Sequence, residues 1–555
     1  MEYVIGISAY YHDSSVCVFK NGQLIFACEE EKFSGIKHDA SFPKKSLEYA
    51  FKHLKINKKD IEAVCYYEDP KLKFNRVLDN IKPQIFKNVL YSLTSLYKVI
   101  KNQWSLKKEL EKISKNIFYS NHHDSHLYYS YFTSHYNSAT CISIDGVGEH
   151  ETATFAIANG NKLTKQTLGK YPHSLGLFYS AMTAFLGFRP NEGEYKVMGL
   201  AAYGNPNVYI DKVRKLINFK NSTIKCDMDY FAWNKSYSTM YTDKLGKLLQ
   251  LNPRIQDDII DQSHKDLAAA IQLRYEEILF DIIKVISIIT QNDKLCLGGG
   301  CAYNGLANGK IIENTIFNHL WIPVAPSDAG SAIGACINYL NQNNKLRLKV
   351  NKNPFIGPFF ENSEIDKAIK GIKHRKFTIT DRLNKFIADE ISKGKVVGWH
   401  HGHMEFGARA LGNRSILASP TINGMKDRIN KLIKKRETFR PFAPIVIKSK
   451  QHEFFEMYGD VPYMNQVVKV KPQYWESLKE VVHVDGTARV QTAHQNTQMF
   501  DLLLEVEKKT GFPILLNTSF NIKDKTMVLS PSDAINTFYN TDLDILVLGN
   551  YVITK

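Results

Sequence analysis

Two short apolar runs in this chain lead directly into glycine-rich turns, and this feature restricts the possible folds most strongly. Residues 139–144 precede Asp145-Gly146-Val147-Gly148, and residues 295–297 precede Gly298-Gly299-Gly300. A strand that enters a helix through glycines lets backbone N–H groups face a bound anion. Tight packing explains many such turns equally well. The candidate phosphate-contacting residues are Gly146, Gly299 and Gly300.

The segments around these turns predict a mixed α/β fold. Residues 3–11 and 14–20 are short β-rich runs, and the turn signal at 21–23 leads into a further run, which together indicate an antiparallel start to a sheet. Helical periodicity predicts one long helix over 263–289 and a helical insertion over 71–116. Residues 205–260 are polar and weakly periodic, so we expect loops and short helices there.

The length of 555 residues predicts two folded units rather than one core. Charge, asparagine and two prolines come together at residues 346–359, and we place the boundary there. The expected domains are therefore 1–352 and 353–555. The second again alternates helix and strand, with strands expected at 395–399, 514–516 and 545–548, and is a separate α/β unit.

Composition indicates a soluble enzyme rather than a membrane or disordered protein. Hydrophobic residues make up 44% and charged residues 23% of the chain. The start lacks the features of a secretory signal, and no apolar run is long enough to span a bilayer, so we expect a cytoplasmic protein that does not enter membranes. The eight cysteines include no CxxC pair and are expected to be reduced and mostly buried. A net charge of +16 attracts anions without identifying them.

Paired histidines and two aspartates indicate a metal site. In a helix, His122 and His126 would lie one turn apart on one face and could bind one ion. Asp145 and Asp328 each follow a β-like run beside glycines. Two imidazoles and two carboxylates suit Fe(II), Mn(II) or Zn(II). The alternative is a polar helix start in which Asp124 acts as a capping residue.

The C-terminal half contains basic residues set among glycines and apolar residues instead of in a charged run. Such side chains are costly to bury unpaired, so each needs a carboxylate or a phosphate. A structural ion pair to Glu405 or Glu437 explains any single one of them, whereas the whole group favours an anion pocket. These residues are Arg409, Arg414, Lys434, Arg436, Arg440 and Arg489.

Three long motifs carry a resemblance to a known family. They are HSLGLFYSAMTAFLGFRPNEGEYKVMGLAAYG at 173–204, HMEFGARALGNRSI and FRPFAP. In these motifs the chain resembles the antibiotic and nodulation-factor O-carbamoyltransferases, including enzymes that carbamoylate tobramycin-type aminoglycosides and cephem alcohols. The resemblance implies an N-terminal actin-like unit of two subdomains (Hsp70, sugar-kinase and RNase H-like) and a C-terminal YrdC-like α/β domain.

The resemblance also implies roles for individual residues. His122, His126, Asp145 and Asp328 would hold a divalent metal, for which iron, as Fe(II), is the expected ion and Mn or Zn the alternatives. The YrdC-like domain would bind carbamoyl phosphate and ATP with Mg, and form carbamoyl adenylate. Its expected contacts are Lys434, Arg440, Arg489, Asn517, Thr518 and Ser519, with Arg409 and Arg414 in the same pocket.

Transfer to an acceptor hydroxyl needs a base, and His12 and His38 are the candidates. Either can instead be a hydrogen-bonded structural histidine. The expected acceptor is a hydroxylated small molecule, which the sequence does not identify. The oligomeric state is equally undetermined, and a homodimer is kept as the candidate assembly.

Three other functions remain open. Synthesis of threonylcarbamoyl-adenosine in tRNA shares both domain types and suits the positive charge, but the long motifs resemble the small-molecule branch, so we do not expect nucleic acid binding. A sugar kinase would leave the C-terminal unit without a role. A nucleotide-sensing protein without catalysis would not need the full set of histidines and basic residues.

Overall fold

A computed structural model of the chain describes residues 2–86, 88–343, 348, 350–436 and 440–555, without the side chain of Gln84. Glu437 and parts of the predicted boundary at 346–359 lie outside the described residues. The chain divides into two compact units. Unit 1 comprises residues 1–30, 38–307 and 311–352, and unit 2 comprises residues 31–37, 308–310 and 353–555.

The strands are numbered in chain order. They are β1 (Tyr3–Ser8), β2 (Ser15–Lys20), β3 (Gln23–Glu29), β4 (Ile61–Tyr66), β5 (Ile117–Tyr119), β6 (Ser138–Ile144), β7 (Glu151–Asn159), β8 (Lys162–Lys170), β9 (Ile217–Lys220), β10 (Thr223–Cys226), β11 (Lys294–Gly298), β12 (His319–Trp321), β13 (Arg375–Lys376), β14 (Val397–His400), β15 (Arg414–Ala418), β16 (Ala443–Ile447), β17 (Phe455–Glu456), β18 (Val467–Val470), β19 (Thr487–Arg489), β20 (Gln491–Ala493), β21 (Ile514–Ser519), β22 (Ile545–Leu548) and β23 (Tyr551–Thr554).

The α-helices are numbered in the same way. They are α1 (Glu31–Ser34), α2 (Lys44–His53), α3 (Pro70–Ile81), α4 (Val89–Glu111), α5 (His122–Ser134), α6 (Leu175–Phe185), α7 (Glu194–Leu200), α8 (Ile210–Arg214), α9 (Asp243–Leu249), α10 (Gln262–Thr290), α11 (Gly305–Asn314), α12 (Asp328–Asn343), α13 (Asn362–Ala368), α14 (Thr380–Ser392), α15 (Met425–Arg428), α16 (Gln451–Phe454), α17 (Gln498–Thr510) and α18 (Pro531–Tyr539). A single π-helical turn covers Ile429–Lys434.

Unit 1 contains the same sheet topology twice. The first sheet has the order β3-β2-β1-β4-β5 and the second the order β8-β7-β6-β11-β12. In each sheet, the three strands that come first along the chain pair antiparallel. The fourth strand pairs in parallel with the first, and the fifth pairs in parallel with the fourth. The sequence shows no repeat of fixed period that corresponds to this duplication. The predicted actin-like arrangement of two subdomains is confirmed.

Helices α5 and α12 bring the two sheets of unit 1 together. Helix α12 packs on α5 and on β1, β2 and β4, while α5 also packs on β6 and β11. Their close approach requires glycine, because a Cβ at Gly334 would lie 1.8 Å from the carbonyl oxygen of Ser125. The first turns of both helices are thereby held side by side.

This close approach predicts that Gly334→Ala destabilises unit 1. The added methyl group overlaps backbone that cannot move independently, and overpacking of this kind costs about 2–3 kcal/mol. We expect a lower midpoint in urea unfolding followed by circular dichroism. Gly246→Ala is the control, because the nearest atom to its new Cβ would be 3.1 Å away. Equal midpoints for the two variants would contradict the packing argument.

Unit 2 is built on a mixed eight-stranded sheet with the order β13-β23-β22-β14-β15-β21-β16-β20, beside a three-stranded sheet β17-β18-β19. Helices α14 and α17 pack together over one apolar cluster that includes Trp399, Leu417 and Leu515. A second cluster includes Ile416, Leu516 and Phe538 of α18. Because neighbouring residues of β15 and β21 belong to different clusters, both faces of the sheet are covered. The predicted α/β class is confirmed in both units.

A half-buried carboxyl group of unit 2, that of Asp460, predicts acid sensitivity. Burial alone would raise the pKa of Asp460, but hydrogen bonds from His494, Thr492 and Lys448 lower it to about 2. A carboxyl group whose pKa is lower in the folded than in the unfolded chain stabilises the fold above about pH 4. This stabilisation is lost as the pH falls towards 2. Asp460→Asn should therefore cost up to about 2 kcal/mol near neutral pH and make acid unfolding less steep below about pH 4. An unchanged acid-unfolding curve would contradict this role.

Several local predictions hold and two need correction. The helix over 263–289 and the strands at 295–297, 514–516 and 545–548 are present, and all eight cysteines are free. Residues 205–260 contain the hairpin β9–β10 as well as short helices, because alternate residues of β10 are buried. Asp328 is the first residue of α12 and does not end a strand. Among the described residues, no helix is both long and apolar enough to cross a membrane.

Candidate metal and anion sites

The four predicted metal-ligating side chains converge in unit 1. His122 and His126 lie one turn apart at the start of α5, Asp145 follows β6, and Asp328 begins α12. All four are buried, and one potential ligand atom from each lies within 4.8 Å of all the others. The arrangement therefore presents two imidazoles and two carboxylates to a common point.

The distances within this cluster suit a bound cation. Asp145 Oδ2 lies 2.9 Å from His126 Nε2 and 3.1 Å from His122 Nε2, and the two Nε2 atoms are 3.1 Å apart. Asp328 Oδ1 lies 3.6 Å from both imidazoles. Ligands about 2.1 Å from a metal ion are about 3.0–3.4 Å from one another, so these contacts match the edges of a coordination shell. Both carboxylate oxygens of Asp328 are buried and accept no hydrogen bond, which an ion would compensate.

Charge in this cluster is dominated by the carboxylates. Burial alone would raise the pKa of Asp145, but hydrogen bonds from His122 and His126 hold it well below its ordinary value. Burial opposes protonation of His122, yet Asp328 and Asp145 raise its pKa to about 9. The carboxylates thus favour positive charge between them, and the cluster could hold a metal ion.

Two further residues hold the histidines in place. The hydroxyl of Ser331 lies 3.0 Å from His126 Nδ1. The carboxylate of Glu149 accepts hydrogen bonds from the backbone N–H groups of His122 and Asp69. Asp124, the alternative capping residue, pairs instead with Lys165. The sequence reasoning missed Ser331 and Glu149, and only the position of Glu149 directly after the first glycine turn could have drawn attention to it.

The glycine turns meet at Asp145. Gly146 N–H donates to Asp145 Oδ1 at 2.7 Å, and a Cβ at Gly300 would lie 3.1 Å from the same oxygen. Gly299 has a φ of 86°, and a Cβ there would lie 2.2 Å from the carbonyl oxygen of Ile144. Its N–H donates to Pro326 O. Close packing therefore accounts for Gly299, and anion contact by the three glycines stays a prediction.

The two candidate bases flank one carboxylate beside the cluster. His38 Nδ1 lies 2.6 Å from Asp13 Oδ1, and His12 Nδ1 lies 3.2 Å from Asp13 Oδ2. The other ring nitrogen of His12 lies 3.9 Å from Asp328 Oδ2. Burial lowers the pKa of His12, but Asp328 and Asp13 raise it to about 10. A cation bound at Asp328 would offset this effect and favour the neutral imidazole that a base requires.

In unit 2, Lys434 is a buried lysine that is influenced by the charges of other cationic side chains. Its buried Nζ donates to Ser519 Oγ at 3.1 Å and to the backbone oxygen of Asn521 at 3.0 Å. Burial, followed by the charges of Arg436, Arg440 and Lys37, holds the pKa of Lys434 well below its ordinary value. Because the charged groups that cause this shift are all cations, an anion bound beside them would be stabilised.

The remaining predicted anion contacts differ in their surroundings. The guanidinium of Arg414 is buried and donates to the backbone oxygens of His401, Gly402 and Asn413. Glu405 accepts from three backbone N–H groups, at Leu411, Asn413 and Arg414. The geometry thus gives both residues a part in shaping the loop before β15.

Several of the other predicted contacts lie at or near the ends of strands. Asn517 is buried and donates to Gln491 Oε1 at 2.8 Å, and Ser519 ends β21 opposite Ser415. Arg489 ends β19, two residues before Gln491. The half-buried residues among the predicted contacts are Arg409, Arg440, Arg489, Thr518 and Ser519.

Comparison with known proteins covers nearly the whole chain. Residues 3–337 match the family model described as carbamoyltransferase N-terminus, and residues 388–555 match carbamoyltransferase C-terminus. Nodulation protein NolNO of Sinorhizobium fredii is 34% identical over 99% of this chain and 80% of its own length. Uncharacterized protein sll1178 of Synechocystis sp. is 34% identical over all of this chain and 97% of its own.

Among solved structures, component A of Acidaminococcus fermentans (R)-2-hydroxyglutaryl-CoA dehydratase is 12% identical, over 62% of this chain and 99% of its own, with a TM-score of 0.34. That likeness is too weak to support any argument. The family models and the full-length relatives agree with each other and with the resemblance that the motifs carry. The chain therefore belongs to the carbamoyltransferase family and is a carbamoyltransferase enzyme.

Proposed function

We propose that this enzyme is an ATP-dependent O-carbamoyltransferase that converts carbamoyl phosphate into carbamoyl adenylate and transfers the carbamoyl group to a hydroxyl of a small molecule. The supporting observation is the pair of sites of opposite charge preference. Unit 1 presents carboxylates and imidazoles to a cation, and unit 2 presents cations to an anion. The two half-reactions need these two environments, because adenylate formation acts on phosphate groups whereas carbamoyl transfer acts on a hydroxyl group.

In this proposal, the domain of residues 353–555 forms the adenylate. Water first releases phosphate from carbamoyl phosphate, and an oxygen of the resulting carbamate attacks the α-phosphorus of ATP and displaces pyrophosphate, so that carbamoyl adenylate forms. Negative charge on both substrates must be neutralised before this attack, which is the role given to Arg440, Arg489 and Lys434. Lys434 also fixes Ser519 at the end of β21. Asn517, Thr518, Ser519 and Arg409 complete the proposed pocket, and Mg accompanies ATP.

The domain of residues 1–352 is the proposed transferase. His122, His126, Asp145 and Asp328 would hold a divalent metal, with Fe(II) as our choice and Mn or Zn as alternatives. When bound, such a metal supplies a Lewis acid for a carbonyl or phosphate oxygen. The glycine turns, at Gly146, Gly299 and Gly300, are the proposed phosphate contacts nearby. The N–H groups of Gly146 and Gly299 would then exchange their present acceptors, Asp145 Oδ1 and Pro326 O, for phosphate oxygens.

His12 is the stronger candidate for the base that accepts the proton of the acceptor hydroxyl. Asp13 orients its ring from one side, and its Nε2 faces Asp328. His38 shares the same carboxylate, with a side chain 32% exposed, and would hold Asp13 in position or relay the proton outward. The proposed location of the reaction is the cytoplasm.

The direct test is a product search. The protein is incubated with carbamoyl phosphate, ATP, Mg and a panel of hydroxylated metabolites, and mass spectrometry looks for a product about 43 mass units heavier than an acceptor. Pyrophosphate release that depends on carbamoyl phosphate is expected even without an acceptor. Failure of carbamoyl phosphate to stimulate pyrophosphate release would contradict the proposal.

The hydrogen bond between Ser331 and His126 predicts a measurable effect on metal affinity. Ser331→Ala removes the group that orients the imidazole, and loss of such a partner weakens metal binding by about 10–100-fold. The measurement is a titration of metal-depleted protein with Fe(II) or Mn(II), followed by calorimetry. Ser130→Ala on α5 is the control, because its hydroxyl donates only to Leu127 O. Equal affinities for both variants would exclude this role of Ser331.

A further inference from the structure

Helix α4 of unit 1 has one buried face and, on the other side, an apolar face that the described residues of the chain leave exposed. The inner face buries Ser92, Ser95, Val99, Leu106 and Leu110. The outer face is a row that we call the outer seam, which begins in the turn before the helix. Its residues, with their exposed fractions, are Phe86 (95%), Leu90 (78%), Leu93 (59%), Tyr97 (63%), Ile100 (49%) and Trp104 (66%).

The spacing of the outer seam is typical of helix pairing. Successive members are separated by four, three, four, three and four residues, which is the repeat of a coiled-coil seam. Single exposed apolar residues are normal on a surface, but a contiguous row of large ones marks an interaction site. A partner with a complementary row of knobs and holes therefore fits this face better than a flat surface does.

We propose that the outer seam pairs antiparallel with the outer seam of a second copy of this chain. The seam is symmetric about position 95, so reversing one helix places Leu93 against Tyr97, Leu90 against Ile100, and Phe86 against Trp104 of the other copy. Each contact then occurs twice, as a two-fold axis requires. No seam residue is left facing a polar position.

The distribution of charge favours the antiparallel direction. Residues 88–97 contain no charged side chain, whereas the second half of α4 carries Lys98, Lys101, Lys107 and Lys108 together with Glu109 and Glu111. Parallel pairing would set the lysines beside one another, while antiparallel pairing sets Lys98 and Lys101 beside the uncharged half. The ammonium of Lys108 lies 3.4 Å from the centre of the Trp104 ring, so it forms a polar edge to the apolar row.

The size of the row also suits a dimer. Six large side chains that each expose on the order of 100 Å² contribute roughly 600 Å² per copy. Stable interfaces bury about 800 Å² per partner, and the lysine stems at the edges supply much of the remainder. The inference is independent of the proposed function, because α4 contributes none of the proposed ligands or bases.

Sedimentation equilibrium of the full chain tests the pairing. We expect the wild-type chain to be a dimer at about 1 µM. Leu93→Glu places two carboxylates in the central layers and should weaken dimerisation by at least about 100-fold, while the far-UV circular dichroism spectrum stays that of the folded chain, since the side chain is exposed. Ile288→Glu is the matched control, because Ile288 is 70% exposed on a different helix. The control should remain dimeric.

Spin labels test the direction. Labels attached at Lys107→Cys would be about 36 Å apart along the helix axis in an antiparallel pair and about 10–15 Å apart in a parallel one. A short distance would overturn the antiparallel arrangement. A wild-type monomer at about 50 µM, or a Leu93→Glu chain that stays dimeric, would overturn the proposal. So would a monomer that sediments with phosphatidylserine vesicles and loses this binding on Leu93→Glu, because a membrane would then be the partner.

Discussion

His126→Ala is expected to lose the bound metal and at least about 1,000-fold of acceptor carbamoylation, while pyrophosphate release that depends on carbamoyl phosphate stays within about 3-fold of the wild type. The reason is geometric. His126 Nε2 lies 2.9 Å from Asp145 Oδ2 and 3.1 Å from His122 Nε2, so its removal opens one corner of the cluster. The proposed adenylate-forming residues are all in unit 2.

Metal analysis and the two activities are measured on the same preparation. His123→Gln is the matched control, because His123 is buried on the same helix and its ring packs against His122, but its ring nitrogens face Thr154 and the backbone of Glu151 and it is not one of the four proposed ligands. The control should keep both metal and transfer. Acceptor carbamoylation at the wild-type rate by His126→Ala would exclude the metal role.

Arg440→Ala should have the opposite effect. We expect pyrophosphate release to fall by about 100–1,000-fold, as when one preorganised charge is removed from a transition state, while metal content is unchanged. Arg440 is one of the cations whose charges influence Lys434 and would neutralise carbamoyl phosphate and ATP. Arg440→Lys keeps the charge but loses the planar fork, and should recover only part of the rate.

Lys431→Ala controls for the change in net charge. Lys431 lies in the same π-helical turn as Lys434, with a side chain 61% exposed. Its removal should leave the rate of pyrophosphate release within about 2-fold, since exposed charges are screened by solvent. Adenylate formation that is equally slow in both variants, or unaffected in both, would exclude a specific role for Arg440.

Local patterns predicted much of the metal site. The spacing of His122 and His126 required only that the segment be helical, which α5 confirms. Asp145 was recognisable because it stands between a strand and a glycine turn. Asp328 was assigned correctly to the cluster but with the wrong local structure, because an apolar run before a helix looks like a strand when the helix start carries no other signal.

Tertiary contacts were beyond the reach of the sequence. Ser331 and Glu149 reach the histidines from distant segments. Apart from the position of Glu149 directly after the first glycine turn, nothing in their own neighbourhoods distinguishes them from other polar residues. The duplicated topology of unit 1 depends on strand order, which residue patterns do not encode. Arg414 shows another limit of local reasoning, because a buried arginine can be satisfied by backbone oxygens as well as by an anion, and its anion contact stays a prediction.

The outer seam shows a further limit. Periodicity predicted that residues 71–116 are helical. Apolar residues on opposite sides of one helix weaken the one-sided hydrophobic pattern by which an exposed apolar face would be recognised from the sequence. Only the exposure of Leu90, Tyr97 and Trp104 in the folded chain shows that one apolar face has no cover from the described residues of its own chain.

Removing the metal from the wild-type chain tests the central claim most directly. The protein is depleted with a chelator, dialysed into Mg, and given radiolabelled carbamoyl phosphate, ATP and an acceptor found in the product search. The account predicts that pyrophosphate is still released, that no labelled acceptor forms, and that Fe(II) or Mn(II) restores transfer. Labelled acceptor formed at the full rate by the depleted chain would contradict it.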